Sequence, residues 1–183
     1  MALMIRRAEP IDAARLADFA ARTFSDTYAA YNVPADMAQH LAAKYGEAIQ
    51  AAEIRDRTAT YLLAEVEGDL AGFAFLHFEH GPDGVALERP VELVRFYVAR
   101  EWHGLGVAQT LMAACVQEAR QRAGGTLWLS VWEQNSRAIS FYRTSGFSLA
   151  GTVRFKLGSQ LQDDHMMTLA LEPVESRQPA APR

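Results

Sequence analysis

Apolar positions along this 183-residue chain switch repeatedly between two periods. After Pro10 and Asp12, residues Leu16, Phe19, Ala20, Thr23 and Phe24 follow the i, i+3, i+4, i+7, i+8 stripe of an amphipathic helix. Residues 4–7 before it predict a short strand. Residues 25–34 read as a break that exposes Tyr28 and Tyr31, and residues 35–54 predict one or two more helices interrupted near Gly46. Residues 61–66 and 70–78 predict two strands joined by the hairpin signal Glu67-Gly68-Asp69. On the second of them Phe73, Phe75, His77 and Glu79 alternate with Ala74, Leu76 and Phe78, and residues 80–84 form a turn-rich loop.

The pattern sharpens in the second half. Residues 91–98 are rich in β-branched and aromatic side chains and predict a strand; Gly104-Leu105-Gly106 then leads into Val107, Ala108, Leu111, Met112, Cys115 and Ala119 at helical spacing. Residues 126–132 predict another strand, with Trp128, Ser130 and Trp132 on one face and Leu127, Leu129 and Val131 on the other; one face must pack on helix. Asn135 is a good N-cap for a helix that places Ala138, Ile139 and Tyr142 on one side, and Gly146 suits its left-handed C-cap. Residues 147–157 and 165–171 predict a last strand pair around Gly158-Ser159. Strands and helices are interleaved, so the fold class is α/β in the broad α+β sense.

A strand that enters a helix through glycines leaves backbone N–H groups at the first helical turn without intrahelical partners, at the positive end of the helix dipole. Small residues at Gly104, Gly106 and Ala108 let a phosphate approach that backbone. Two familiar nucleotide readings are weak. A dinucleotide fingerprint needs a third glycine where Gln109 stands, and no βαβ unit with a distal acid is apparent; a triphosphate loop needs a Gly-Lys-Ser/Thr tripeptide that the chain lacks. The run His103-Gly104-Leu105-Gly106-Val107-Ala108 instead resembles the Arg/Gln-x-x-Gly-x-Gly/Ala signature of the GNAT superfamily of N-acetyltransferases. The segment from Asn135 through Ala138 and Tyr142 to Gly146-Phe147 resembles the second half of the same core, in the right order.

What the resemblance implies is specific. The fold is a mixed, mostly antiparallel sheet flanked by helices and splayed between the strands ending at Val98 and Trp132. The cofactor is acetyl coenzyme A, held by Phe96, Tyr97 and Val98 at a bulged strand end, by His103, Gly104, Leu105, Gly106, Val107, Ala108 and Gln109 in the pyrophosphate loop, and by Asn135 or else by a merely capping Asn135. Tyr142 stands at the general-acid position, and a tyrosine with pKa about 10 keeps a proton to give a departing thiolate. Glu92, on the strand before the loop, is the favoured base, with Glu79, His77 and Glu133 as rivals; its bland alternatives are a solvated strand residue or a partner for Arg95. His103 departs from the usual Arg or Gln and is mostly neutral near pH 7, which shifts weight onto backbone donors. Cys115 on the apolar stripe packs rather than reacts. The pattern of residues 155–167 resembles the C-terminal end of bacterial polyamine acetyltransferases of the PaiA kind, which points to a small primary amine, a polyamine being one, as acceptor. A protein or peptide acceptor and a non-catalytic coenzyme-A-binding module remain the alternatives, and a homodimer is compatible with the resemblance.

Composition narrows this only at the edges. A net charge of −4 argues against a nucleic-acid binder and suits a cationic acceptor. No apolar run approaches the ~20 residues needed to span a bilayer, and residues 1–7 lack the features of a secretory signal, so a cytoplasmic protein without membrane contact is expected. One cysteine cannot form an internal disulfide. Histidines and carboxylates are scattered without metal-site spacing, so no metal is expected. Residues 1–172 are expected to form the domain, and the proline-bearing tail 173–183 to be disordered.

Overall fold

The computed structural model describes residues 2–157 and 160–171, with backbone alone for 155–157 and 160–162. The tail 173–183 and the Gly158-Ser159 turn lie outside the described residues. Strands β1 (Leu3–Arg7), β2 (Ala59–Val66), β3 (Asp69–Phe78), β4 (Pro90–Val98), β5 (Thr126–Trp132), β6 (Ser148–Leu157) and β7 (Gln160–Ala170) form one sheet. Its order is β1-β2-β3-β4-β5-β7-β6. Every pairing is antiparallel except β4 with β5.

Both sheet faces are covered. On one face α4 (Val107–Gln121) and α5 (Ser136–Thr144) pack over Ala74, Leu76, Leu93, Leu127, Leu129 and Val131, which answers which face of β5 meets helix. On the other, α1 (Ala13–Tyr28) buries Leu16, Phe19, Ala20 and Phe24 against Leu63, Phe73 and Phe75; α2 (Pro34–Lys44) and α3 (Glu47–Arg55) complete that layer. The alternation along β3 thus supplies both cores, Phe73 and Phe75 to one and Leu76 and Phe78 to the other. The start of α1 is tied to the sheet by Arg6, which meets Asp12 at 2.8 Å and Glu65 at 2.9 Å. Arg15 joins the same two carboxylates. The arginines hold the Asp12 carboxyl well below its usual range and lower that of Glu65.

Three boundaries differ from the pattern. The first helix continues to Tyr28, because the hydroxyls of Thr23, Ser25 and Thr27 bond back to carbonyls of Phe19, Ala21 and Thr23 instead of ending the helix. Tyr28 is consequently half-buried, while Tyr31 is exposed as expected. Strand β7 starts at Gln160, ahead of the expected position 165, since its polar start pairs along β6, with Asp163 opposite Arg154. Finally, β4, α4 and β5 do make a parallel βαβ unit, which the sequence left unseen because only residues 90–92 and 126–128 pair.

Candidate active site

The short pairing of β4 with β5 creates the site. Beyond Glu92 and Trp128 the two strands part, and a cavity of about 830 Å³ opens along their separated ends. A bulge on β4 aims its walls. Arg95 pairs with Phe75 and Leu93 with Leu76, so Val94 is the extra residue. One inserted residue reverses the alternation. Phe96 and Val98 therefore face the α4–α5 side with Val91 and Leu93, whereas Tyr97 turns to the α1 side. The bulge falls at Val94, ahead of the expected Phe96–Val98 strand end, and those three residues line the cavity downstream of it.

One wall is built from backbone. A short 3-10 turn (Arg100–Trp102) leads into Gly104 and Gly106, whose φ values of 78° and 84° lie in the left-handed region. Open space surrounds the Cβ position of each, so glycine serves the turn and leaves room in front of it. Gly106 caps α4 with no side chain bonding the first-turn amides. Those donors and the dipole make an anion cradle. Gly104, Ala108 and Gln109 line the cavity, Leu105 is exposed beside it, and Val107 turns into the core.

Two cationic or polar groups flank this turn. His103 Nε2 lies 2.8 Å from the Val98 carbonyl and 2.8 Å from Arg137 Nη2. Arg137 can only donate, so Nε2 either accepts from the guanidinium or, when protonated, donates to the carbonyl; in both arrangements Arg137 is the cation beside the turn. Arg137 and Arg100 both line the cavity, and neither was singled out in the sequence. The available signal was position: Arg137 is in the first turn of α5, directly after its cap. That cap is Asn135, whose Oδ1 accepts from the Ala138 amide at 3.1 Å while the residue also lines the cavity.

The opposite wall is built from side chains. Tyr28 and Tyr31 line it, and Trp132 packs behind them, tilted against Tyr28 and edge-on to Tyr31, at 6.3 and 5.1 Å between ring centroids. Tyr28 packs tilted against Phe24 as well as Trp132, and burial raises its hydroxyl above the usual tyrosine range. Tyr142 lines the cavity from α5, packed edge-on against Phe96 and Phe147, and burial pushes its hydroxyl well above the usual tyrosine range. Asp164 on β7 lies behind this wall, paired across the strands with Trp132. Asp164 is 6% exposed, and its Oδ1 has no partner among the described residues. Burial raises this carboxyl to about 6.

Glu92 sits at the root of the splay and is not among the cavity-lining residues. Its Oε2 is 2.6 Å from His80 Nδ1; burial raises its pKa and His80 counters that rise. Arg95 is not its ion-pair partner: the guanidinium bonds Glu53 at 2.9 and 3.0 Å and stacks over Tyr45 and Phe75. Of the rival bases, Glu79 and Glu133 are exposed outside the cavity lining. His77 belongs to the Glu92 group instead: one donor atom from each of His77, His80 and Glu92 falls within 4.8 Å of the others. The expectation of scattered ligands is corrected here, and the missed signal was a His-x-x-His spacing across a strand-ending turn. Cys115 is buried in the α4 core and its thiol is pushed up by burial.

The splayed sheet and the helix N-terminus at its opening make a cleft suited to a phosphate-bearing ligand. The family model of the "Acetyltransferase (GNAT) family" matches residues 18–147. An N-acetyltransferase of Mycobacterium bovis is 33% identical over 160 residues, 87% of this chain and 98% of its own length. Over about half the chain, streptothricin acetyltransferase of Streptomyces lavendulae is 34% identical (50% of this chain, 46% of that one). A spermine/spermidine N(1)-acetyltransferase of Bacillus subtilis is 31% identical over a similar share (49% and 59%). Among solved structures, PaiA N-acetyltransferase of Thermoplasma acidophilum with coenzyme A superposes at TM-score 0.76 and 22% identity, covering 93% of this chain and 99% of that one. The chain belongs to the GNAT family and is an acetyl-coenzyme-A-dependent N-acetyltransferase. No helix among the described residues is long and apolar enough to cross a membrane.

Proposed function

We propose that the enzyme acetylates a primary amine of a small molecule, a polyamine being the leading class, by direct attack on the thioester with Tyr142 as general acid. The observation that carries this reading is the position of Tyr142: a buried, protonated hydroxyl lining the same cavity as the anion cradle. The acetyl coenzyme A pyrophosphate lies on the α4 amides with Arg137 and His103 beside it. The pantetheine arm would run along the edge of β4 at Phe96, Tyr97 and Val98 that β5 leaves unpaired beyond Glu92. A neutral amine entering past Tyr28 and Tyr31 forms the new C–N bond, and the C–S bond breaks. Tyr142 protonates the departing thiolate. Burial raises the proton affinity of thiolate and tyrosinate together, so the transfer stays balanced although Tyr142 is a weaker acid than in water. The amine's proton leaves through water to Glu92 at the splay root.

Three features support an amine of small size and positive charge. The chain carries a net charge of −4. A buried carboxylate, Asp164, stands behind the aromatic wall. Half of the chain is similar to a spermine/spermidine acetyltransferase. Thiol release from acetyl coenzyme A is to be followed against spermidine, spermine, streptothricin-like amines, amino acids and short peptides. Turnover is expected with the polyamines, reduced by about 10² or more in Glu92→Gln. Turnover confined to peptides would overturn the acceptor class, and an unaltered kcat in Glu92→Gln would remove that carboxylate as base.

A further inference from the structure

We infer that His77, His80 and Glu92 form a binding site for a late first-row divalent cation, Zn²⁺ being the reference ion. The inference does not rest on acetyl transfer, although it shares Glu92 with the proposed base. Two imidazole nitrogens and one carboxylate oxygen are the donor set such ions prefer, and they leave coordination positions open to solvent. Backbone geometry brings the three together. His77 ends β3, Glu79 turns the chain at φ 60°, and His80 folds back so that the two imidazoles stack at 4.9 Å between centroids. That turn is pinned twice, by the Glu79 amide on the Pro90 carbonyl at 2.9 Å and by the Trp128 indole N–H on the His80 carbonyl at 2.7 Å. Glu92 faces it from β4, opposite His77 in the register.

Hydrogen bonds fix which nitrogen is available. Thr58 has one hydroxyl proton, donated to Asp56 Oδ1 at 2.7 Å. Its oxygen, 3.2 Å from His77 Nε2, therefore accepts from that nitrogen, and His77 Nδ1 keeps its lone pair. A carboxylate–hydroxyl–imidazole chain of this kind orients metal-binding histidines. On the other side, the cation replaces the proton shared by His80 Nδ1 and Glu92 Oε2, and that proton is released to solvent. Metal bonds of about 2.0–2.2 Å place tetrahedral ligands about 3.4 Å apart, so donor atoms now within 4.8 Å of one another must close by up to about 1.4 Å while the His80–Glu92 contact at 2.6 Å opens, a rearrangement that rotation of the exposed His80 ring can make. Occupation takes Glu92 out of proton transfer, so metal binding and base catalysis are alternatives at one carboxylate.

Zn²⁺ is titrated by calorimetry into the tag-free full chain, without coenzyme or amine, so that the outcome does not depend on turnover. One site per chain is expected, weakened more than about tenfold in His80→Ala and in His77→Gln, since even an outer-shell change costs about 10–100-fold. Mg²⁺, which wants oxygen ligands, is expected to give no heat. Ni²⁺ is expected to quench tryptophan emission in the wild type and not in His80→Ala, because the His80 and Trp128 rings lie 6.4 Å apart. No binding, or binding that both folded variants retain at full strength, would overturn the site.

Discussion

The two walls of the cleft are made by different means. The wall proposed for the cofactor is main chain: left-handed glycines, first-turn amides of α4 that no side chain among the described residues bonds, and a bulged β4 edge. The wall proposed for the acceptor is side chain: Tyr28 and Tyr31 from the end of α1 and its following turn, Trp132 from β5, and Asp164 from β7 behind them. A backbone surface tolerates any neighbouring side chains provided its φ angles are met. A side-chain surface can be rebuilt by substitution without touching the fold. The difference separates what the enzyme must keep in order to hold acetyl coenzyme A from what it can change in order to choose an amine.

Substitutions should therefore act on one wall at a time. Gly106→Val places a β-branched residue at φ 84°, at a cost of about 1–3 kcal/mol. Calorimetry should show coenzyme A affinity falling about tenfold or more. Equal affinity would mean that the turn does not form the cradle. Tyr31→Ala removes an exposed ring that packs on Trp132, worth about 0.5–1.5 kcal/mol. The acceptor KM should rise about 2–10-fold, with that for acetyl coenzyme A unchanged; a matching rise in both would dissolve the division between walls.

A smaller effect belongs to Asp164. Its folded-state value of about 6 lies above the ordinary carboxylate value near 4, so burial favours the neutral form. The corresponding stability is fully present below pH about 4 and is lost as pH rises through about 6. Denaturant unfolding across that window should show a decline in the wild type that Asp164→Asn lacks. Identical slopes would place the carboxylate in water.

Legibility in the sequence follows the same division. The glycine turn, the α4 stripe, the Asn135 cap and the Gly146 stop were readable, because each requires a particular residue type at a fixed offset. The β4 bulge was not, since Val94 is an ordinary strand residue and the insertion shows only against the register of β3. Asp164 stood in the sequence as one of two adjacent aspartates, and only the pairing with Trp132 places it behind the acceptor wall. His77, His80 and Glu92 come from a strand end, a turn and a neighbouring strand, so no linear spacing relates all three. Helix α1 outran its predicted end because polar hydroxyls that usually favour turns here bond within the helix.

The central claim is that Tyr142 acts on the chemistry and not on coenzyme binding. Tyr142→Phe keeps the ring packed on Phe96 and Phe147 and deletes only the hydroxyl. Steady-state thiol release with saturating amine, beside calorimetric coenzyme A binding, separates the two roles. The account predicts a kcat lower by about 10²–10⁴-fold with coenzyme affinity unchanged within about twofold. An undiminished kcat, or a loss that appears only as weaker coenzyme binding, would contradict it.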